Sequence, residues 1–247
     1  MKRSLLYLLA LALLTPISSY AQLDCPPVIG GARKANDKFH VTLGVGPTVL
    51  YGDVPKAGMG LGAYLKADYR IYKGIMVGLE GQIGSLKAEA VSDTTDKRKA
   101  NNSYYAGFIN VTVYPFQFTS TGSSYSSPTE LLLNSIYLGV GFGGLQSKYK
   151  ELRHADGFVD YGDGAVAGTA RMPEKTKSML FPVANVGAAI PINKFNYKNR
   201  TGRYFSVVFN GQFSFADDEL DGFRVPHYNS KSNDMYAFYT VGARYSF

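Results

Sequence analysis

From Met59 to Ile71 the chain alternates without a break. Met59, Leu61, Ala63, Leu65, Ala67, Tyr69 and Ile71 interleave with Gly60, Gly62, Tyr64, Lys66, Asp68 and Arg70. A period of two marks a strand whose faces meet different surroundings, here one oily and one charged. Seven further stretches repeat the pattern, around 39–51, 75–84, 105–113, 136–143, 180–192, 205–215 and 239–247. In the 180–192 stretch, Leu180, Ala184, Val186, Ala188, Ile190 and Ile192 take the apolar face, and Phe181, Val183 and Asn185 the other. Eight strands and no helix account for the pattern.

Two closed architectures use such strands. A soluble barrel or sandwich turns the apolar face inward, whereas an outer-membrane barrel turns it to lipid and keeps a polar lumen. The polar face decides between them. It is rich in glycine, which weakens a water-facing strand and packs nothing there, and its charges cluster near mid-strand. That arrangement suits a narrow lumen, so the sequence predicts an all-β, eight-stranded antiparallel transmembrane barrel of the outer-membrane type. Composition agrees: 27 Gly, 19 Tyr and 15 Phe accompany only 18% charged residues. Tyr51, Tyr69, Tyr72, Tyr104, Tyr105, Tyr114, Tyr204 and Phe205 lie near strand ends, as interfacial aromatic girdles do.

The first 21 residues read as a secretory signal peptide: Lys2 and Arg3, then the apolar run Leu5–Leu14, then the small-residue site Ser19-Tyr20-Ala21. Residues 22–37 form a polar periplasmic N-terminal segment, and 38–247 the barrel. Cleavage takes the formal charge from +7 to +5, a mild excess with no basic run or motif for nucleic acid. Cys25 is the only cysteine, so no intrachain disulfide forms. Asp24 before it argues against a lipoprotein signal.

With the first strand rising from the periplasm, the outward connections are 52–58, 87–103, 146–178 and 216–234. The inward ones are 72–74, 117–134 and 193–203, the second of them long and rich in Ser and Thr. The chain ends on Tyr239, Val241, Ala243, Tyr245 and Phe247 at every second position. An aromatic-terminated last strand is the signal by which the barrel insertion machinery recognises its clients, and Tyr239, Val241, Tyr245 and Phe247 are its expected elements.

An eight-stranded barrel is only wide enough for its own side chains, which excludes an open pore. Lys66, Asp68, Arg70, Glu80, Gln82 and Arg244 are therefore expected to form a lumenal charge network, because an unpartnered ion there is costly. His154 and His227, with Ser230, Asp217, Asp218 and Glu219, fall in outward loops. General acid–base work needs such groups within hydrogen-bond reach, and the His-x-Ser spacing of barrel deacylases is absent. No catalytic site and no cofactor are expected. Asp156, Asp160 and Asp163 are spaced by glycines but match no EF-hand loop, so a solvated turn is expected there rather than a metal site.

Four segments together resemble the PorG-like outer-membrane barrels. They are Leu43-Gly44-Val45-Gly46 through Leu50-Tyr51-Gly52-Asp53, Tyr137-Leu138-Gly139-Val140-Gly141-Phe142-Gly143, Phe181-Pro182-Val183 through Gly187, and Phe215-Ala216-Asp217-Asp218-Glu219-Leu220-Asp221-Gly222 with Asn233-Asp234-Met235-Tyr236. Ala216 and Glu219 depart from that family's usual residues. The resemblance implies a non-enzymatic component associated with type IX secretion and gliding, contacting periplasmic ring subunits. Its contact surfaces would be 117–134 and 193–203, the second carrying Lys194, Lys198, Arg200 and Arg203. The expected role is a membrane anchor or assembly component in the outer membrane, surrounded by lipid. The alternative is a surface adhesin or ligand-binding barrel acting through its outward loops.

Overall fold

The computed structural model describes residues 38–52, 56–89, 98–119, 128–154, 157–166, 168–171, 173–192, 204–216, 220 and 234–247. The signal peptide, the 22–37 segment, Cys25, His227 and the four basic residues of 193–203 lie outside them.

Eight long strands close on themselves: β1 Phe39–Tyr51, β2 Lys56–Tyr72, β3 Ile75–Glu89, β4 Lys99–Val113, β5 Ile136–Arg153, β7 Lys175–Pro191, β8 Tyr204–Ala216 and β9 Met235–Ser246. Each pairs antiparallel with the next, and β9 returns to β1 through pairs such as Leu43–Ala243 and Thr42–Arg244. A three-residue strand, β6 Val159–Tyr161, adds to β5 beyond the ring. The start of β1, the C-terminal end of β9 and the β2–β3 turn gather at one end, called here the terminal end; the C-terminal ends of β1, β3, β5 and β8 lie at the other, the loop end. In the turn Tyr72-Lys73-Gly74, Gly74 adopts a φ of +75°, a left-handed conformation that a Cβ disfavours.

The alternation translates directly into two faces. Leu43, Leu61, Leu65, Leu79, Val140, Phe142 and Val241 stand exposed on the outside, Leu65 at 56%. Lys66, Asp68, Glu80, Gln82, Asn110 and Arg244 are buried inside, Asp68 at 0%. A barrel in water would invert this arrangement, so hydrocarbon is the surrounding that makes it stable. Replacing Leu65, midway along β2 on the outer face, by arginine is expected to cost about 2–4 kcal/mol of folding stability in a bilayer. Urea titration in lipid vesicles measures this, and an unchanged midpoint would place that face out of the membrane.

Three expectations need correction. First, 117–134 is not helix-free: α1 Pro115–Thr119 and α2 Pro128–Ser135 follow β4. Each begins on a proline, whose fixed φ and missing N–H suit a first helical position. Second, β3, β4 and β5 run further than expected, pairing up to Glu89–Lys99 and Ala100–Leu152. The connections expected at 87–103 and 146–178 thus shrink to 90–98 and 154–174. Beyond the membrane the outer face turns polar, as at Lys148 and Lys150, while the inner face keeps Leu86, Tyr149 and Leu152, so the oily outer face that marks the spanning part does not continue. Third, Leu180 points inward and is fully buried, whereas Phe181 is exposed. The β7 ladder shifts register between Leu180 and Val183 on both neighbours. Pro182 between them has no N–H to give a ladder, which confines proline to such irregularities, and the shift exchanges the inward and outward parities of the strand.

Candidate functional site

The interior is built in layers. In the terminal half, Asp68 accepts two cations: Lys66 Nζ lies 3.3 Å from its Oδ1 and Arg244 Nη2 3.5 Å from its Oδ2. Their strands fix this geometry, since Lys66 and Asp68 are two apart on β2 and Thr42 of β1 pairs with both Lys66 and Arg244. Arg244 donates Nε to Thr42 Oγ1 at 3.0 Å and Nη1 to the Tyr114 hydroxyl, and Lys66 donates to Thr112 Oγ1 at 3.1 Å. Opposite Asp68 on β3 stands Gly78; a Cβ there would collide with the Asp68 carboxylate. Small residues thus leave room for the charged ones.

Glu80 occupies the middle layer. Its Oε1 accepts Gln82 Nε2 at 2.6 Å and its Oε2 accepts Asn110 Nδ2 at 2.8 Å. Gln82 also donates to Gln212 Oε1 at 2.5 Å and accepts the Tyr236 hydroxyl at 3.1 Å, tying β3 across the lumen to β8 and β9. Five of the six residues singled out from the sequence therefore meet inside in two clusters, Lys66–Asp68–Arg244 and Glu80–Gln82. Arg70 stands apart, half-buried at the terminal mouth.

The loop half is filled mainly by apolar side chains. Leu50, Leu86, Leu152, Leu180, Tyr104, Tyr149, Tyr236 and Phe238 are fully buried in one apolar cluster. Phe238 meets Tyr64 edge-on at 6.1 Å, and Tyr104 meets Tyr236 at 5.7 Å. Tyr104 and Tyr114, expected in the interfacial girdles, are inside; Tyr51, Tyr69, Tyr72, Tyr105 and Phe205 are exposed outside. The signal for the inner cluster is parity: Leu86 is in phase with Glu80 and Gln82, and Leu50 with Thr48.

At the terminal end the helices lie over the mouth. Gln117 Nε2 of α1 donates to the Asn134 carbonyl of α2 at 3.1 Å, and Leu131, Asn134 and Ser135 are buried beneath. A cavity of about 30 Å3 remains there, lined by His40, Arg70, Tyr114, Gln117 and Arg244 among others. His40 Nδ1 lies 2.7 Å from Ser246 Oγ, joining first and last strands. On the outside, Tyr245 lies 4.7 Å from Phe205, tilted, and 4.7 Å from Phe247, edge-on, and Tyr239 meets Phe213 edge-on; Val241 is exposed between them.

Beyond the ring at the loop end, His154 Nε2 lies 2.9 Å from Asp160 Oδ2, and the Arg171 N–H donates to Asp160 Oδ1 at 3.0 Å. Arg171 stacks on Phe158 at 4.1 Å. Asp160 is thus buried in its own loop's contacts, and no group of three or more His, Cys, Asp or Glu among the described residues could hold a metal. Nearby, Lys148 Nζ lies 2.9 Å from Glu174 Oε1; this hydrogen bond holds the carboxyl below its ordinary pKa and the ammonium above its own.

Wall and filling together define a small membrane-spanning barrel with a packed interior. No protein-family model matches the sequence, and no curated protein matches it. Among solved structures the chain is similar to Ail, the attachment invasion locus protein of Yersinia pestis, crystallised with the heparin analogue sucrose octasulfate: 12% identity, TM-score 0.44, covering 85% of this chain and 98% of that one. It is also similar to Neisserial surface protein A, at 10% identity and TM-score 0.44, covering 85% and 97%.

Proposed function

We propose that this protein is an integral outer-membrane component without catalytic activity, exported by a cleaved signal peptide. It serves as an anchor or assembly component of the type IX secretion and gliding apparatus, with the terminal end in the periplasm. The observation that carries this reading is the pair of helices over that end. Phe116 and Phe118 of α1 and Leu132 and Leu133 of α2 are exposed at 40–51%, while the same helices bury Leu131 and Asn134. An apolar patch held out from a membrane protein into the aqueous side is a contact surface for a partner. The filled, ion-paired interior supports a structural role, since charges so fully engaged are poor at moving protons or ions.

Recovery of periplasmic ring subunits with the barrel from detergent-solubilised membranes tests it. Replacing Phe116, Phe118, Leu132 and Leu133 together by serine removes the patch, and is expected to abolish most of that recovery while leaving the barrel's heat-modifiable migration on gels intact. Undiminished recovery from this variant, and from one with 117–134 replaced by a short turn, would remove the assembly role.

A further inference from the structure

On the outer wall above the apolar band, Lys148 and Lys150 of β5 and Lys175 and Lys177 of β7 all face outward and are exposed. Lys148 and Lys175 are direct cross-strand partners, and Lys177 pairs with Gln146. Like charges opposed across a ladder repel, and among the described residues the carboxylate bonded to one of the four is Glu174, on Lys148. Four ammonium groups and one carboxylate leave this patch at +3. On the neighbouring wall Lys99 lies 3.1 Å from Glu151 and 3.9 Å from Glu89, so that lysine is already paired.

Directly below the lysines the wall is hollowed. Gly81, Gly107 and Gly144 are successive cross-strand partners on β3, β4 and β5, all on the outer face. No atom stands within 4 Å of where their Cβ atoms would be, so packing of the barrel does not require glycine there. The groove they floor has two continuous parts of about 670 and 530 Å3 sharing Gly107, Gly144 and Met179. The lower part is walled by Leu65, Leu79, Ile109 and Phe142; the upper runs past Tyr105 to Gln146 and Lys177. From Gly144 to Lys148 is about 13 Å of strand, which at a tilt of roughly 40° lifts the charges ~10 Å toward the loop end. That separation matches an acyl chain below and its headgroup above.

We propose that this face binds one phosphorylated, acylated glycolipid of the outer leaflet, of the lipid A class, with an acyl chain in the glycine-floored groove and its phosphates on Lys148, Lys175 and Lys177. The proposal rests on the outer-membrane reading given above. Charge selects this occupant over a second copy of the chain, because a two-fold contact through the groove would bring two such lysine patches together. A neutral phospholipid would fill the groove but leave the opposed lysines without counter-ions.

The test uses the mature chain in nanodiscs, with native mass spectrometry counting retained lipid as diphosphoryl lipid A, enzymatically dephosphorylated lipid A or phosphatidylglycerol is titrated. Diphosphoryl lipid A is expected to bind preferentially. Lys175→Gln with Lys177→Gln is expected to weaken it by about 25-fold, taking roughly fivefold per lysine near a charged surface. Gly144→Leu, which fills the groove from outside, is expected to weaken both forms of lipid A equally. Glu174→Gln is expected to tighten the diphosphoryl form by freeing Lys148. Equal binding of the phosphorylated and dephosphorylated lipids, insensitivity to the lysine pair, or preference for phosphatidylglycerol would overturn the proposal. So would dimers captured through Gly144→Cys. Failure of the wild-type chain to insert into the nanodisc at all would instead overturn the outer-membrane reading.

Discussion

Asp68→Asn is expected to lower the stability of the folded barrel by about 3–5 kcal/mol, because it leaves Arg244 buried without its anion and Lys66 with only Glu80, its cross-strand partner on β3, to balance it. The side chain keeps its size, so the loss reports charge rather than packing. Asp68 sits between both cations at 3.3 and 3.5 Å and is fully buried. Water can make good little of the loss, since the apolar cluster closes one side of the layer and α1 and α2 leave only the cavity of about 30 Å3 on the other. A second change tests the assignment: Lys66→Met in the Asp68→Asn background removes one of the two cations and is expected to recover part of the loss. Urea-driven unfolding from lipid vesicles, followed by tyrosine fluorescence, measures both. If Asp68→Asn cost under about 1 kcal/mol, the level of an exposed pair, the interior would be wet and the network incidental.

Phe238→Ala is expected to cost a similar ~3–5 kcal/mol, the range for deleting a buried aromatic ring in a core that cannot collapse onto the space. A closed ring of hydrogen-bonded strands is such a core. Phe238 rests against Tyr64 and over Gly62, where a Cβ would come within 3.1 Å of its ring. Phe238→Leu refills most of the volume and is expected to lose about a third as much, following the milder cost of swaps between apolar residues. The same unfolding experiment distinguishes the two variants. An alanine variant as stable as wild type would mean that water, not side chains, fills the loop half.

The wall was legible from the chain alone, the filling only in part. Every outward residue of β2, from Met59 to Ile71, follows from parity, because hydrocarbon on one side and charge on the other print a clean alternation. Lys66, Asp68, Glu80 and Arg244 were readable for the same reason. Tyr104 and Tyr114 were not: a tyrosine near a strand end suits an interfacial girdle as well as a lumen, and only parity from the strand's own centre separates Tyr104, inside, from Tyr105, outside. Leu180 was misplaced because Pro182 breaks the count that the rest of β7 keeps. The helices after β4 were hidden by surrounding Ser and Thr, although Pro115 and Pro128 each mark a start. Leu86, Leu145 and Leu152 lie on strand extensions whose outer face meets water, so neither face there betrays the lipid boundary that the alternation relies on.

Pairing of Leu43 with Ala243 and its neighbours seals the seam between first and last strands. An open sheet offers unsatisfied amides and carbonyls along its rim, onto which a visiting peptide can lay itself as one more strand. Within the membrane-spanning ring of the described residues there is no such rim; unpaired edge is left beyond it, on β6 and the 175–179 stretch of β7. A macromolecule that recognises the lipid-facing wall or the capping helices must do so through side chains, and recognition there should yield to point substitutions while remaining indifferent to peptides that mimic a strand.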